Sequence, residues 1–152
     1  MNVTVREMGA ADRAAWAEIR AELWPDEPLD AHQKELEEFL RRGNFWGFVA
    51  ELSNGDAAGF TEIAVRDYAN GCISRPVAFL EGIWVKPQFR RWGIGARLLE
   101  TAEAFLVARG FTELGSDALI DNRGSQAAHA AWGFTETERV VYFRKSLKQA
   151  RR

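Results

Sequence analysis

Apolar and polar residues alternate with period two from Val3 to Glu7, which predicts a short half-buried strand. From Ala10 to Leu23 the spacing becomes helical, with Trp16, Ile19 and Leu23 on one face, and Pro25 and Pro28 break the pattern. Asp30–Arg41 reads as a second helix, with Asp30 as its N-cap and Leu36, Phe39 and Leu40 apolar. Phe45–Leu52 and Ala57–Val65 read as strands joined by Ser53-Asn54-Gly55-Asp56, because Asn-Gly supplies the positive φ angles of a hairpin turn. Residues 67–76 form a loop. The mostly apolar run Val77–Val85 predicts a central strand buried on both faces, stopped by Pro87. Gly93–Arg109 has Ile94, Leu98, Leu99, Ala102, Phe105 and Leu106 at helical spacing, and Gly110 ends it. A strand over Glu113–Leu119, a short helix over Gly124–Trp132 with Gly133 past its end, and a last strand over Glu138–Leu147 complete the order β-α-α-β-β-β-α-β-α-β. That order predicts a mixed sheet covered by helices, in the α/β or α+β range.

No internal repeat, low-complexity tract or flexible linker interrupts the 152 residues, so a single domain spanning 1–152 is expected. A hydrophobic share of 47% with 28% charged residues excludes a disordered chain. The single cysteine, Cys72, allows no intrachain disulfide. The start, MNVTVREMGAADR, lacks the apolar run of a secretory signal, and no stretch approaches the ~18 apolar residues of a membrane span. A cytoplasmic location without membrane association is the resulting expectation. The net charge of −2 conceals an asymmetry: residues 1–76 carry 14 acidic and 8 basic side chains, residues 77–152 carry 8 and 12. Such a division suits an anionic ligand on one side and a cationic one on the other, and equally suits two solvated surfaces. The basic residues form no aromatic-interleaved stripe, which argues against nucleic acid as a partner.

Residues 85–99, VKPQFRRWGIGARLL, run from strand through a proline stop and a basic pair to two spaced glycines and an apolar helix. Glycines admit a close ligand, and the first helical turn presents unpaired N–H groups at the positive end of the helix dipole. Arg90 and Arg91 add charge, so the segment suits a pyrophosphate. Glycines at this spacing also begin ordinary helices. Two familiar phosphate motifs fail: no Lys-Ser/Thr follows a glycine run, and the third glycine of the dinucleotide fingerprint is missing.

Arg90-Arg91-Trp92-Gly93-Ile94-Gly95 resembles the R/Q-x-x-G-x-G/A motif of the GNAT superfamily of acyl-CoA-dependent N-acetyltransferases, including its approach strand. Asn122, followed eleven residues later by Gly133-Phe134, is similar to that superfamily's N-x(10)-G-F segment. The resemblance covers the whole chain. It implies a mixed, mostly antiparallel central sheet with a splayed parallel strand pair, flanked by helices. It also implies acetyl-CoA as cosubstrate, no metal, and a homodimer. The CoA site would comprise Ile83, Trp84 and Val85 along the strand, then Arg90, Arg91, Trp92, Gly93, Ile94, Gly95 and Ala96 at the turn, with Asn122 beyond.

The segments LWPDEPLDAH, RDYANGC, PVAFLEGIWVKPQFR, SDALIDN, SQAAH and GFTETERVVYFRK resemble the aminoglycoside 6'-N-acetyltransferases more specifically. The acceptor would then be a polycationic small molecule, and resemblance puts Glu81, Asp117 and Glu138 around it with Trp24 and Tyr68 against its sugars. A carboxylate mid-strand in an apolar run, like Glu81, needs a partner, and an arginine ion pair is the alternative to substrate binding. Asp117 also suits an Asx turn. Trp24 also suits the core and Tyr68 the sheet edge. Asp117 or Glu81 would take the proton of the attacking ammonium, directly or through water. A backbone N–H near Val85 would polarise the thioester carbonyl. The superfamily's tyrosine, seven residues after the asparagine, is replaced by His129, a candidate acid for the departing thiolate that also suits a structural role. Tyr142 is a weaker substitute, and Cys72 has no adjacent base to make it a nucleophile. A polyamine or protein acetyltransferase and a non-catalytic acyl-CoA sensor are the competing functions.

Overall fold

In the computed structural model, which describes residues 2–150, the chain divides into two compact units, one running to Asp117 and one from Ala118. The first unit holds a five-stranded sheet in sequence order: β1 (Val3–Met8), β2 (Phe45–Leu52), β3 (Ala57–Arg66), β4 (Val77–Val85) and β5 (Leu114–Gly115). The first three junctions are antiparallel and β4–β5 is parallel. The β2–β3 hairpin forms as its Asn-Gly turn predicts: Gly55 has φ 90°, and Asn54 Oδ1 accepts from the Asp56 amide at 2.9 Å.

Three helices cover this sheet: α1 (Arg13–Leu23), α2 (Leu29–Arg42) and α3 (Ile94–Ala108). Trp16, Ala17 and Ile19 of α1 and Leu36 of α2 pack with Phe45, Val49 and Phe60 on one face. Phe105 of α3 meets Trp46 and Phe48 edge-on at 5.1 and 5.2 Å. Strand alternation puts those two residues on the face opposite Phe45 and Val49. No helix among the described residues is long and apolar enough to cross a membrane.

Several expectations are corrected. The first predicted helix splits into a 3-10 turn at Ala10–Asp12 and α1. The N-cap of α2 is Pro28, and Asp30 sits within the first turn, where its carboxylate favours the helix dipole. The strand predicted over Glu113–Leu119 contracts to Leu114–Gly115, which pair only Ala78 and Phe79 before the parallel ladder stops. The second unit contains α4 (Arg123–Ala131), as predicted to within a residue at each end. It does not contain the predicted strand Glu138–Leu147. That segment makes no ladder among the described residues, and Val141, Tyr142, Phe143 and Leu147 are exposed. A β-branched and aromatic run makes a segment fit for a sheet, but a strand exists only when a neighbour accepts its backbone hydrogen bonds.

Candidate functional site

The parallel ladder between β4 and β5 ends at Phe79↔Gly115, while β4 continues to Val85. Ile83, Trp84 and Val85 therefore keep one backbone edge without a strand partner among the described residues, while their other edge pairs Gly59, Phe60 and Thr61. An extended ligand can add to such an edge as a strand would.

Beyond Val85 a 3-10 turn at Pro87–Phe89 leads into Arg90–Gly93. Arg91 and Gly93 both have left-handed backbones, φ 69° and 74°. Glycine takes that conformation without cost, but arginine does so at a strain of roughly 1–2 kcal/mol. The Arg90 side chain turns back: its Nε donates to the Val85 carbonyl at 2.9 Å and its guanidinium lies 4.7 Å over the Trp84 ring. Arg91 and Trp92 are exposed. The first α3 bond runs from the Arg97 amide to the Gly93 carbonyl at 3.1 Å, and no side chain caps the helix. The amides of Ile94, Gly95 and Ala96 thus point out of an uncapped N-terminus beside exposed positive charge. The strand edge, the turn and this helix end form a continuous cradle for an anion with an extended tail.

Glu81 occupies a bulge. Glu62 pairs with Gly82 and Ile63 with Leu80, so Glu81 is the extra residue of β4. Both of its carboxylate oxygens accept from Arg66, at 2.6 to 2.9 Å, and Arg66 stacks 3.6 Å from the Phe79 ring centre. The arginine partner of the sequence reading is therefore present. Trp24 follows α1 and leans on β4 at Gly82: a Cβ on Gly82 would come within 2.5 Å of the indole. Trp24 is half-buried and thus stands beside the bulge that carries Glu81. Tyr68 is exposed in the loop after β3, with the Arg75 guanidinium 5.4 Å from its ring centre. Asp117 is exposed at the end of the first unit.

The remaining predicted residues lie in the second unit. Asn122 is the N-cap of α4, its Oδ1 accepting from the Ser125 amide at 3.1 Å. His129 Nδ1 donates to the Ser125 carbonyl at 2.7 Å, and its ring packs against Phe134 and Trp132. The His129 contacts fit its structural alternative. Glu138 is exposed.

A buried polar network under the site was not foreseen. Glu62, 1% exposed, accepts from Trp16 Nε1 at 2.8 Å and from Arg20 Nη1 at 2.9 and 3.1 Å. Arg20 also donates to Glu35 at 2.7 Å and to His32 Nδ1 at 3.3 Å. The signal was available: Glu62 interrupts an apolar strand, and Arg20 lies one turn from Trp16 on the buried face of its helix. Glu27, His32 and Glu35 cluster within 4.8 Å, but Arg20 and the Trp24 carbonyl engage both His32 ring nitrogens. Burial, and secondarily the Glu113 carboxylate, push the Cys72 thiol pKa up, away from the thiolate a nucleophile needs.

The profile of the acetyltransferase (GNAT) family matches residues 13–134. The chain is 44% identical over 146 residues to an aminoglycoside N(6')-acetyltransferase type 1 of Stenotrophomonas maltophilia, covering 95% of this chain and 94% of that one. It is likewise 44% identical to the protein of that name from Klebsiella aerogenes, over 94% of this chain and 96% of that one. Among solved structures it resembles the aminoglycoside 6'-N-acetyltransferase AAC(6')-Ih of Acinetobacter baumannii, with TM-score 0.89 and 36% identity over 97% of this chain and all of that one. It also resembles AAC(6')-Iy in complex with a bisubstrate analogue, CoA-S-monomethyl-acetylneamine, with TM-score 0.89 and 38% identity over the same shares.

Proposed function

The chain belongs to the acetyltransferase (GNAT) family, and from that premise we propose that it transfers the acetyl group of acetyl-CoA to the 6'-amine of aminoglycoside antibiotics. The observation that carries the reading is the cradle formed where β4 outruns β5 and meets the uncapped start of α3. Its exposed strand edge suits the amide-bearing arm of CoA, and its helix amides with Arg91 suit the pyrophosphate. The acceptor half of the reading draws on relatives named as aminoglycoside N(6')-acetyltransferases.

The acceptor's ammonium groups are recognised by Glu81 and Asp117, and its sugars pack on Trp24 and Tyr68. Arg66 occupies both Glu81 oxygens, which favours Glu81 as a charge-holding ligand and Asp117 as the proton acceptor. The 6'-ammonium gives a proton to Asp117, directly or through water, and the free amine attacks the thioester carbonyl. The C–N bond forms and the C–S bond breaks through a tetrahedral intermediate. A main-chain N–H near Val85 stabilises its oxyanion, and the thiolate of CoA leaves and takes up a proton. His129 is the proposed donor of that proton; its Nδ1 donates to the Ser125 carbonyl. The resemblance assigns Asn122 a role in CoA binding and Glu138 one in acceptor binding.

The enzyme works in the cytoplasm as one domain spanning 1–152, apart from membranes and nucleic acid, as a homodimer. The exposed run Val140–Phe143 supports the dimer, because an apolar, strand-patterned segment without a ladder is a ready interface. A thiol-release assay offering aminoglycosides, polyamines and peptides as acceptors tests the activity. Turnover of a polyamine or peptide alone identifies a different acetyltransferase.

A further inference from the structure

Trp24 is held from below by a chain of buried polar contacts that begins in the sheet. Glu62 on β3 binds Arg20 through both carboxylate oxygens, and Arg20 is 4% exposed. Arg20 presents Nε to His32 Nδ1 at 3.3 Å, and His32 is fully buried. An arginine N–H can only donate, so Nδ1 accepts and the ring proton sits on Nε2. Nε2 lies 3.0 Å from the Trp24 carbonyl, to which it donates. The Trp24 amide in turn donates to the Arg20 carbonyl at 2.8 Å, and the Arg20 guanidinium lies 5.0 Å from the Trp24 ring centre. The far side of the indole meets Gly82, the residue after the bulged Glu81.

A residue at a helix end would ordinarily sample several backbone states. Here φ −122° and ψ 73° at Trp24 are neither helical nor extended. They are specified by a carbonyl bound from α2, an amide bound from α1, and an indole fitted to a strand position that only glycine permits. We infer that His32 is a positioning residue for acceptor recognition: by donating to the Trp24 carbonyl while accepting from Arg20, it fixes the indole against β4 beside Glu81. The inference rests on the reading that Trp24 packs on the acceptor. The same bond satisfies a carbonyl at the end of α1, so melting temperature is read beside KM.

Two conservative variants separate the halves of the imidazole. Glutamine places an amide N–H near the Nε2 position and can still donate to the Trp24 carbonyl. Asparagine places a carbonyl near the Nδ1 position and can accept from Arg20, but it cannot reach Trp24. Steady-state kinetics of His32→Gln, His32→Asn and Trp24→Ala, with kanamycin and acetyl-CoA varied in turn and melting temperature measured in parallel, test the inference. The expected result for His32→Asn is an acceptor KM raised about fivefold or more, the scale of one lost net hydrogen bond. His32→Gln should stay within about twofold of wild type, and the acetyl-CoA KM should hold in both. Equal acceptor KM values in the two His32 variants, with Trp24→Ala impaired, overturn the positioning role and leave the Trp24 reading standing. An unimpaired Trp24→Ala overturns that reading and the inference with it.

Discussion

Arg66 grips both carboxylate oxygens of Glu81, at 2.6 and 2.8 Å from Nη2, and Glu81 is the unpaired residue of the β4 bulge. The bulge and the guanidinium together fix where this negative charge stands.

Glu81→Gln removes an ammonium ligand and leaves the Arg66 cation uncompensated in the acceptor site. The acceptor KM should rise about tenfold, or ~1.4 kcal/mol, with the acetyl-CoA KM unchanged. The double variant Arg66→Gln/Glu81→Gln should recover part of that loss, because the residual repulsion disappears. A double variant no better than Glu81→Gln would refute the coupling.

At Gly93, φ is 74° and a Cβ would meet no atom within 4 Å, so a side chain fits but the backbone strains. Gly93→Asp also sets a carboxylate at the uncapped start of α3, where the pyrophosphate is proposed to bind. Acetyl-CoA affinity should fall about 100-fold, ~2.7 kcal/mol, while the melting temperature drops by only a few degrees. Calorimetric titration with acetyl-CoA checks this, and unchanged affinity would remove the cradle from the account.

Burial pushes the Glu62 carboxyl from its ordinary 4.5 up to about 7, against the opposing pull of Arg20 and the Trp16 N–H; the Glu35 carboxylate adds slightly to the rise. A carboxyl whose pKa is higher folded than unfolded stabilises the fold fully below its unfolded pKa and loses that contribution as pH rises through its folded pKa. Relative to Glu62→Gln, which cannot titrate, the wild type should lose roughly 3 kcal/mol of stability between about pH 4.5 and 8. Urea unfolding of both proteins across that range measures it, and a constant difference would show that Glu62 stays ionised throughout.

Val141 and Phe143 are 77% and 91% exposed, in a segment patterned for a strand that has no ladder. If a second copy of the chain covers them, Val141→Glu/Phe143→Glu should convert a dimer to a monomer in analytical ultracentrifugation. A wild-type protein that sediments as a monomer at micromolar concentration contradicts the dimer.

Local chemistry made most of the first unit legible. Asn54-Gly55 encodes the β2–β3 turn, the 3.6-residue spacing of Ile94, Leu98, Leu99 and Ala102 encodes α3, and the glycines at 93 and 110 mark its ends. The strand edge, turn and helix start proposed to hold CoA were legible in shape for the same reason: they are one continuous stretch of chain. What the pattern could not supply was partnership. Glu113–Leu119 looked like a full strand, but its neighbour pairs it at only two residues. Val140–Phe143 is an apolar run fit for a strand, yet an apolar run does not name the strand that must receive it. Glu62, Arg20 and His32 are far apart in sequence, and only the packing of α1 and α2 on the sheet makes them one network.

The central claim, acetyl transfer to a 6'-amine through the carboxylates near β4, is tested most directly by thiol release from acetyl-CoA with wild type and Asp117→Asn. The acceptors are kanamycin, tobramycin and an analogue carrying a hydroxyl in place of the 6'-amine. The account predicts turnover of the two amines and none of the hydroxyl analogue. It also predicts a loss of roughly 2 to 5 kcal/mol in kcat/KM for Asp117→Asn, with acetyl-CoA affinity intact and kcat partly restored at higher pH. Equal turnover of amine and hydroxyl analogues, or kanamycin and tobramycin left unmodified while a polyamine or peptide is acetylated, would contradict it.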